Sequence, residues 1–209
     1  PWMMTITNKT QPSHLYLHVP FCSHICGYCD FAHVVYQKPQ ADAWLEAVER
    51  ELKEKKISTS LTTVYIGGGT PTSLSAHQLQ RLLSDLDPYI SQAKEYTIEI
   101  NPETLDEEKC QILKDHGINR VSIGFESSDP KLLALMGRHH DCACMERGMT
   151  MLKKYGIENI SLDLMYSLPF QTMEMLQKSV EDALQLQPRH LSLYSLTVEE
   201  NTVFGKKGY

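Results

Sequence analysis

The 209-residue chain holds no run of eighteen apolar residues, so no membrane-spanning helix is expected. It also has no excess of positive charge: 20 Lys and Arg against 26 Asp and Glu leave a net charge of −6. Nucleic acid as the main partner needs a basic face for phosphate, so that class is set aside. The first residues lack the charged-then-apolar pattern of a secretory signal. Residues 1–12 are polar and irregular and are expected to form a disordered lead. There is no fixed-period repeat, low-complexity segment or interdomain linker. The six cysteines are too few for a disulfide scaffold in a chain this long, and a reducing cytoplasm is the expected compartment. What remains is an ordinary globular composition, 42% hydrophobic and 22% charged, long enough for one domain with a substantial core.

Three of the cysteines stand together. Cys22-Ser23-His24-Ile25-Cys26-Gly27-Tyr28-Cys29 has the spacing C-x3-C-x2-C and follows the alternating apolar run 14–19. Three thiolates this close can converge on an iron–sulfur cluster, each ligating one iron. Three ligands to four irons leave one iron open to a small molecule, as catalytic metal sites do. The alternatives are buried structural thiols or part of a zinc site. Zinc usually takes a second C-x2-C pair, and Cys110, Cys142 and Cys144 do not supply one.

Further along, periodicity alternates. Helices are expected over 40–56, 75–87 (capped by Ser75), 105–116, 130–136, 142–155 (capped by Asp141) and 172–186 (capped by Thr172). Strands are expected over 61–66, 95–100, 119–124, 159–166 and 189–196. Cys142 and Cys144 are expected on a helix, one facing core and one solvent. With the run before the cysteines, strands alternate with helices six times. That pattern gives an α/β fold with a parallel sheet and right-handed crossovers. A complete (β/α)8 barrel usually needs ~250 residues, so a partial (β/α)6 TIM-like barrel is expected.

In such barrels the site lies at the carboxyl ends of the strands. Those ends carry the cysteine loop, then Gly67-Gly68-Gly69-Thr70-Pro71-Thr72, then Glu99 and Asn101. Next come Gly124 to Ser127, Asp163 with Tyr166, and finally Tyr194, Ser195 and Thr197. The glycine triplet lets backbone approach a ligand closely. It is not a phosphate loop, since no G-K-[ST] follows. Glu99 and Asp163 sit in otherwise apolar strands, where a buried carboxylate needs a partner.

The stretch Tyr16-Leu17-His18-Val19-Pro20-Phe21-Cys22, with Cys26, Cys29, Asp30 and Phe31, resembles the radical S-adenosylmethionine (SAM) superfamily. More narrowly it is similar to the oxygen-independent coproporphyrinogen III oxidase-like group, which includes the HemW-type heme chaperones. The resemblance implies the radical SAM type of partial barrel over residues 13–209. It also implies a [4Fe-4S] cluster on Cys22, Cys26 and Cys29, with SAM on the open iron. An electron from the cluster then cleaves SAM to methionine and a 5′-deoxyadenosyl radical. SAM contacts are implied at Tyr16, Tyr28, Gly68, Gly69, Thr70, Pro71, Glu99, Glu126, Arg138, Asp163 and Thr197. The family usually has Gln at position 126; an ionised glutamate only accepts hydrogen bonds, which would weaken SAM binding or change which hydroxyl is held.

The oxidases carry a further cysteine two residues after the third, where this chain has Phe31. That difference favours the heme-chaperone branch. It implies heme, or another tetrapyrrole, as ligand, a reducing electron donor and a heme-acceptor protein as partners. A tetrapyrrole-modifying oxidoreductase is the alternative. His140 matches a position often histidine in the chaperone branch. An axial heme ligand is one reading and a surface or capping histidine is the favoured one. Relatives continue past the point matched by Tyr209 into a C-terminal domain, which is expected to be absent.

Overall fold

The computed structural model describes residues 12–55 and 57–209. The lead expected over 1–12 therefore lies outside the described residues, save for its last position. The chain runs β1 (His14–Val19), two short strands β2 (Phe21–Cys22) and β3 (Val34–Val35), α1 (Lys38–Glu54), β4 (Thr63–Gly68), α2 (Ala76–Leu86) and β5 (Glu95–Ile100). It continues with α3 (Glu107–Asp115), β6 (Arg120–Glu126), α4 (Pro130–Met136), α5 (Cys142–Lys154), β7 (Ile160–Tyr166), α6 (Met173–Gln185), β8 (His190–Ser195) and α7 (Val203–Lys207). Strands β1, β4, β5, β6, β7 and β8 form one sheet in that spatial order, every pairing parallel. This is the partial (β/α)6 barrel expected, with β1 and β8 as its two edges. No described helix is long and apolar enough to cross a membrane.

Each strand has two unlike faces, because successive side chains point to opposite sides. Tyr96, Ile98 and Ile100 on β5, Val121, Ile123 and Phe125 on β6, and Ile160, Leu162 and Leu164 on β7 are buried in one core. That core also takes Leu45 of α1, Leu79 and Leu83 of α2, Leu113 of α3 and Leu152 of α5. Burying each such side chain stabilises the fold by about 1.5–3 kcal/mol. The other face is polar. Register places Tyr16, Tyr65, Thr97 and Arg120 in one row across four adjacent strands. The sheet therefore encloses a polar lumen and packs its helices on the outside.

The helix starts follow their caps. Ser75 accepts from Gln78 N while the Gln78 side chain accepts from Ser75 N, a reciprocal capping box. Asp141 and Thr172 cap α5 and α6 as expected. Two boundaries differ in ways that matter to the site. β4 takes Gly67 and Gly68 into the strand, and β6 runs two residues past its expected end, through an irregularity between Gly124 and Glu126. Helix α7 and the β2–β3 pair were not foreseen. The expectation that Cys142 or Cys144 faces the core is corrected: Cys142 is exposed and Cys144 half-buried, because the first turn of α5 lies at the surface.

Candidate cofactor site at the carboxyl rim

The cysteine loop leaves β1 and is closed by β2 and β3, where Phe21 pairs with Val34 and Cys22 with Val35. Two backbone bonds hold its middle. Gly27 N donates to Met136 O at 2.8 Å, and Gly27 O accepts from Phe204 N at 2.9 Å. The loop is thus tied to the end of α4 and to α7. A side chain at Gly27 would meet the Phe204 ring at 3.0 Å.

The β4 end comes up against this loop. Gly69 N donates to Val19 O at 2.8 Å and Thr70 N to Phe21 O at 2.6 Å. A Cβ on Gly69 would stand 2.6 Å from Phe21 O and 2.9 Å from Cys22 Sγ, so only glycine permits this approach. Gly68 has φ +113° and lies against the His18 ring. The Thr70 hydroxyl is 3.8 Å from Cys22 Sγ and accepts from the Asn101 amide at 3.0 Å.

The three thiols and these glycines line one cleft of about 410 Å³. Tyr28, Thr70, Glu99, Glu126, Arg138, Asp163 and Thr197 line it as well. Two implied contacts stand apart from that lining. Pro71 is buried at the start of a short 3-10 turn, Pro71–Ser73. Tyr16 is on edge strand β1, 57% exposed, with its hydroxyl 3.0 Å from His18 Nδ1.

Burial pushes all three thiols above their ordinary pKa, and each is pushed further by another of the three: Cys22 by Cys26, Cys26 by Cys29, Cys29 by Cys22. Three thiolates gathered in one cleft repel one another unless a cationic centre lies between them, which fits a metal cluster. Among the described residues, no three His, Cys, Asp or Glu side chains are grouped as a single ion would need. A cluster with a separate iron for each thiolate spaces its ligands more widely.

The carboxylates and the guanidinium form the opposite wall. Glu99 accepts from the Tyr65 hydroxyl at 2.7 Å and from Gly68 N at 3.0 Å. Asp163 accepts from the Ser122 hydroxyl at 2.8 Å through one oxygen; the other is buried with no partner. Burial raises the pKa of both, and the charge of Asp163 adds to the effect at Glu99. Arg138 is buried. One terminal nitrogen pairs with Glu126, the other donates to Asn101 Oδ1 at 2.8 Å, and its Nε has no partner. Glu126 also accepts from the Tyr28 hydroxyl at 3.1 Å. Gly124 lies beneath that guanidinium, which a Cβ there would overlap. The unmatched atoms of Asp163 and Arg138 fit a ligand that brings both a donor and an acceptor.

Behind this wall is a group that sequence reasoning missed. Glu103, in the turn after β5, lies 3.9 Å from His24 Nε2 of the cysteine loop and 3.7 Å from His140 Nδ1. Burial alone would raise its pKa. The contacts with His140, its own backbone amide and Arg138 instead take it down to about 2. His140 is buried and its Nε2 lies 3.1 Å from Phe125 O. It is therefore neither a surface nor a capping histidine. Nothing in the spacing of His24, Glu103 and His140 marks them as neighbours. Asn101 and Ser122 carried a signal: one closes a strand, the other alternates with Gly124 on the lumen face.

The family model described as the radical SAM superfamily matches residues 16–183. A protein named heme chaperone HemW from Lactococcus lactis is 44% identical over 196 residues, covering 93% of this chain and 52% of that protein. The Bacillus subtilis protein of that name is 43% identical over 195 residues, covering 90% and 52%. The chain thus spans about half the length of these curated relatives. Among solved structures, the Escherichia coli coproporphyrinogen III oxidase HemN, described as a radical SAM enzyme, aligns with TM-score 0.86 at 27% identity, covering 94% of this chain and 47% of that one. The methyltransferase TsrM from Kitasatospora setae shares the fold, with TM-score 0.69 at 15% identity over 94% of this chain and 36% of that one.

Proposed function

The chain belongs to the radical SAM superfamily, and from that premise we propose that it is the core of a HemW-type heme-handling protein. Membership implies a [4Fe-4S] cluster and SAM. When bound, the cluster would supply an electron for the cleavage of SAM. We assign the cluster to Cys22, Cys26 and Cys29, and residues 13–209 to the radical SAM core domain. The observation that carries the assignment is that three thiols share one cleft with the buried Arg138 guanidinium, the buried Glu126 and the half-buried Glu99 and Asp163.

The remaining residues have distinct tasks. The Thr70 hydroxyl orients the Cys22 sulfur. The backbone at Gly68 and Gly69 forms a wall flat enough for the ligand to lie on, and Pro71 turns the chain away behind it. Arg138, whose Nε is left without a partner, would take the SAM carboxylate. Glu99 and Asp163 accept hydrogen bonds from hydroxyl or amino groups, and Glu126 with Tyr28 fixes the guanidinium. Thr197 closes the rim beside β8, and Tyr16 stands at the β1 side of the mouth.

Two features support heme as cargo. The relatives matching over nine-tenths of this chain are named heme chaperones. Phe31, 66% exposed at the loop, occupies the position where the oxidases carry an extra cysteine. A reducing donor and a heme-acceptor protein are the partners this reading requires. The second reading, a porphyrinogen oxidase, rests on the likeness to HemN and requires tetrapyrrole turnover with SAM consumption.

The test is anaerobic reconstitution with iron and sulfide, then electron paramagnetic resonance of the reduced protein. A four-iron signal that shifts on adding SAM, and is lost in Cys26→Ala, is expected. Absence of any cluster in the wild-type protein would overturn the reading. A hemin titration with a binding isotherm and no product separates carrier from oxidase.

A further inference from the structure

One side chain joins the guanidinium wall of the cleft to the cysteine loop. Asn101 follows β5, two residues after Glu99, and lines the cleft with it. Its backbone oxygen accepts from the Thr104 amide at 3.1 Å and from the Thr104 hydroxyl at 2.9 Å, which hold the residue from behind. In front, its side-chain amide lies between Arg138 and Thr70. A terminal nitrogen of Arg138 donates to Asn101 Oδ1 at 2.8 Å, and Asn101 Nδ2 donates to the Thr70 hydroxyl at 3.0 Å. The Thr70 hydroxyl in turn lies 3.8 Å from Cys22 Sγ.

Donor chemistry fixes the direction of this chain. A guanidinium has donors only, so the oxygen of the amide must face Arg138. The amide nitrogen then faces Thr70, and it cannot accept. Thr70 Oγ1 therefore accepts from Asn101, which leaves its own proton for another partner. Among the described residues, the acceptor in reach is Cys22 Sγ. Thr70 is buried and its backbone amide is held by Phe21 O at 2.6 Å, so the hydroxyl has little access to solvent.

We propose that Asn101 is a positioning residue: it makes the Thr70 hydroxyl a dedicated donor to the Cys22 sulfur and so raises the reduction potential of the cluster that this sulfur would hold. The inference rests on the cluster assignment above and deepens it. Hydrogen bonds to the sulfurs tune such a potential, because a donor stabilises the more negative, reduced state. Arg138, assigned above to the SAM carboxylate, sets the orientation of the amide and with it the whole chain.

The experiment is an anaerobic redox titration of the reconstituted protein, followed by electron paramagnetic resonance. Thr70→Val keeps the shape and removes the donor. It should lower the potential by about 59 mV, a tenfold change in a one-electron equilibrium and the scale of one hydrogen bond. Thr70→Ala gives the same loss without the branched side chain, and Thr70→Ser, which keeps the hydroxyl, should stay at the wild-type value. Asn101→Asp offers Thr70 an acceptor in place of a donor and also adds a charge. Its potential should fall by about 59 mV more with Thr70 in place than in the Thr70→Val background, where only the charge acts. Equal falls in the two backgrounds would mean that Asn101 acts by charge alone, and they overturn the inference. An unchanged potential in Thr70→Val or Thr70→Ala overturns it as well, whatever Asn101→Asp does. Each of these results leaves the cluster assignment standing. A wild-type protein that takes up no cluster overturns that assignment and the inference together.

Discussion

At the scale of single residues, Glu126 is the most informative position. It has φ +58°, in the left-handed region, just after the irregularity where β6 slips against β7. Such bulges re-aim a side chain, and this one turns a carboxylate inward onto Arg138 and Tyr28. The sequence marked the residue as a departure from the glutamine usual in the family. It did not reveal that the glutamate is already used, since an ion pair between residues twelve apart has no periodic signature. The pair has a consequence for SAM, because Arg138 cannot give its full charge to a ligand carboxylate while Glu126 holds it. Glu126→Gln keeps the shape and removes the charge. In the ligand-free protein the substitution should cost about 1–3 kcal/mol, the scale for a buried polar group left poorly paired. A SAM carboxylate would then restore the balance. The SAM-induced rise in melting temperature should accordingly be larger in Glu126→Gln than in wild type. A smaller rise would mean that Glu126 holds SAM directly.

At the scale of elements, the cysteine loop depends on pieces that no pattern announced. Strands long enough to alternate, such as β5, and helices with a side-chain cap, such as α2 with Ser75, were legible because several residues repeat one message. β2 and β3 are two residues each, too short for any period, and α7 has only five. Yet α7 delivers Phe204, which is fully buried beside Met136 and Leu168, contacts Tyr28 at 6.4 Å between ring centroids, and receives Gly27 against its edge. Removing that ring takes away a principal support of the loop that holds the thiols. Phe204→Ala should destabilise the protein by about 3–5 kcal/mol, as for other large-to-small core changes. The damage should be local as well as global. At a temperature where the variant is still folded by circular dichroism, its yield of reconstituted cluster should fall below that of wild type. A variant that loses stability but keeps full cluster content would show that α7 serves the fold and not the loop.

At the scale of the molecule, the alternation of polar lumen and apolar exterior was legible strand by strand, while the open seam between β1 and β8 was not, since strand count alone does not say which edges meet. The seam sets a gradient of stability. β6 lies inside the sheet, with Val121, Ile123 and Phe125 almost wholly buried, whereas β8 has neighbours on one side and leaves Leu193 51% and Tyr194 55% exposed. Edge strands carry half their backbone groups without a ladder partner and open at lower free energy than central ones. Amide exchange should therefore be slowest in β5, β6 and β7 and at least about a hundredfold faster in β8.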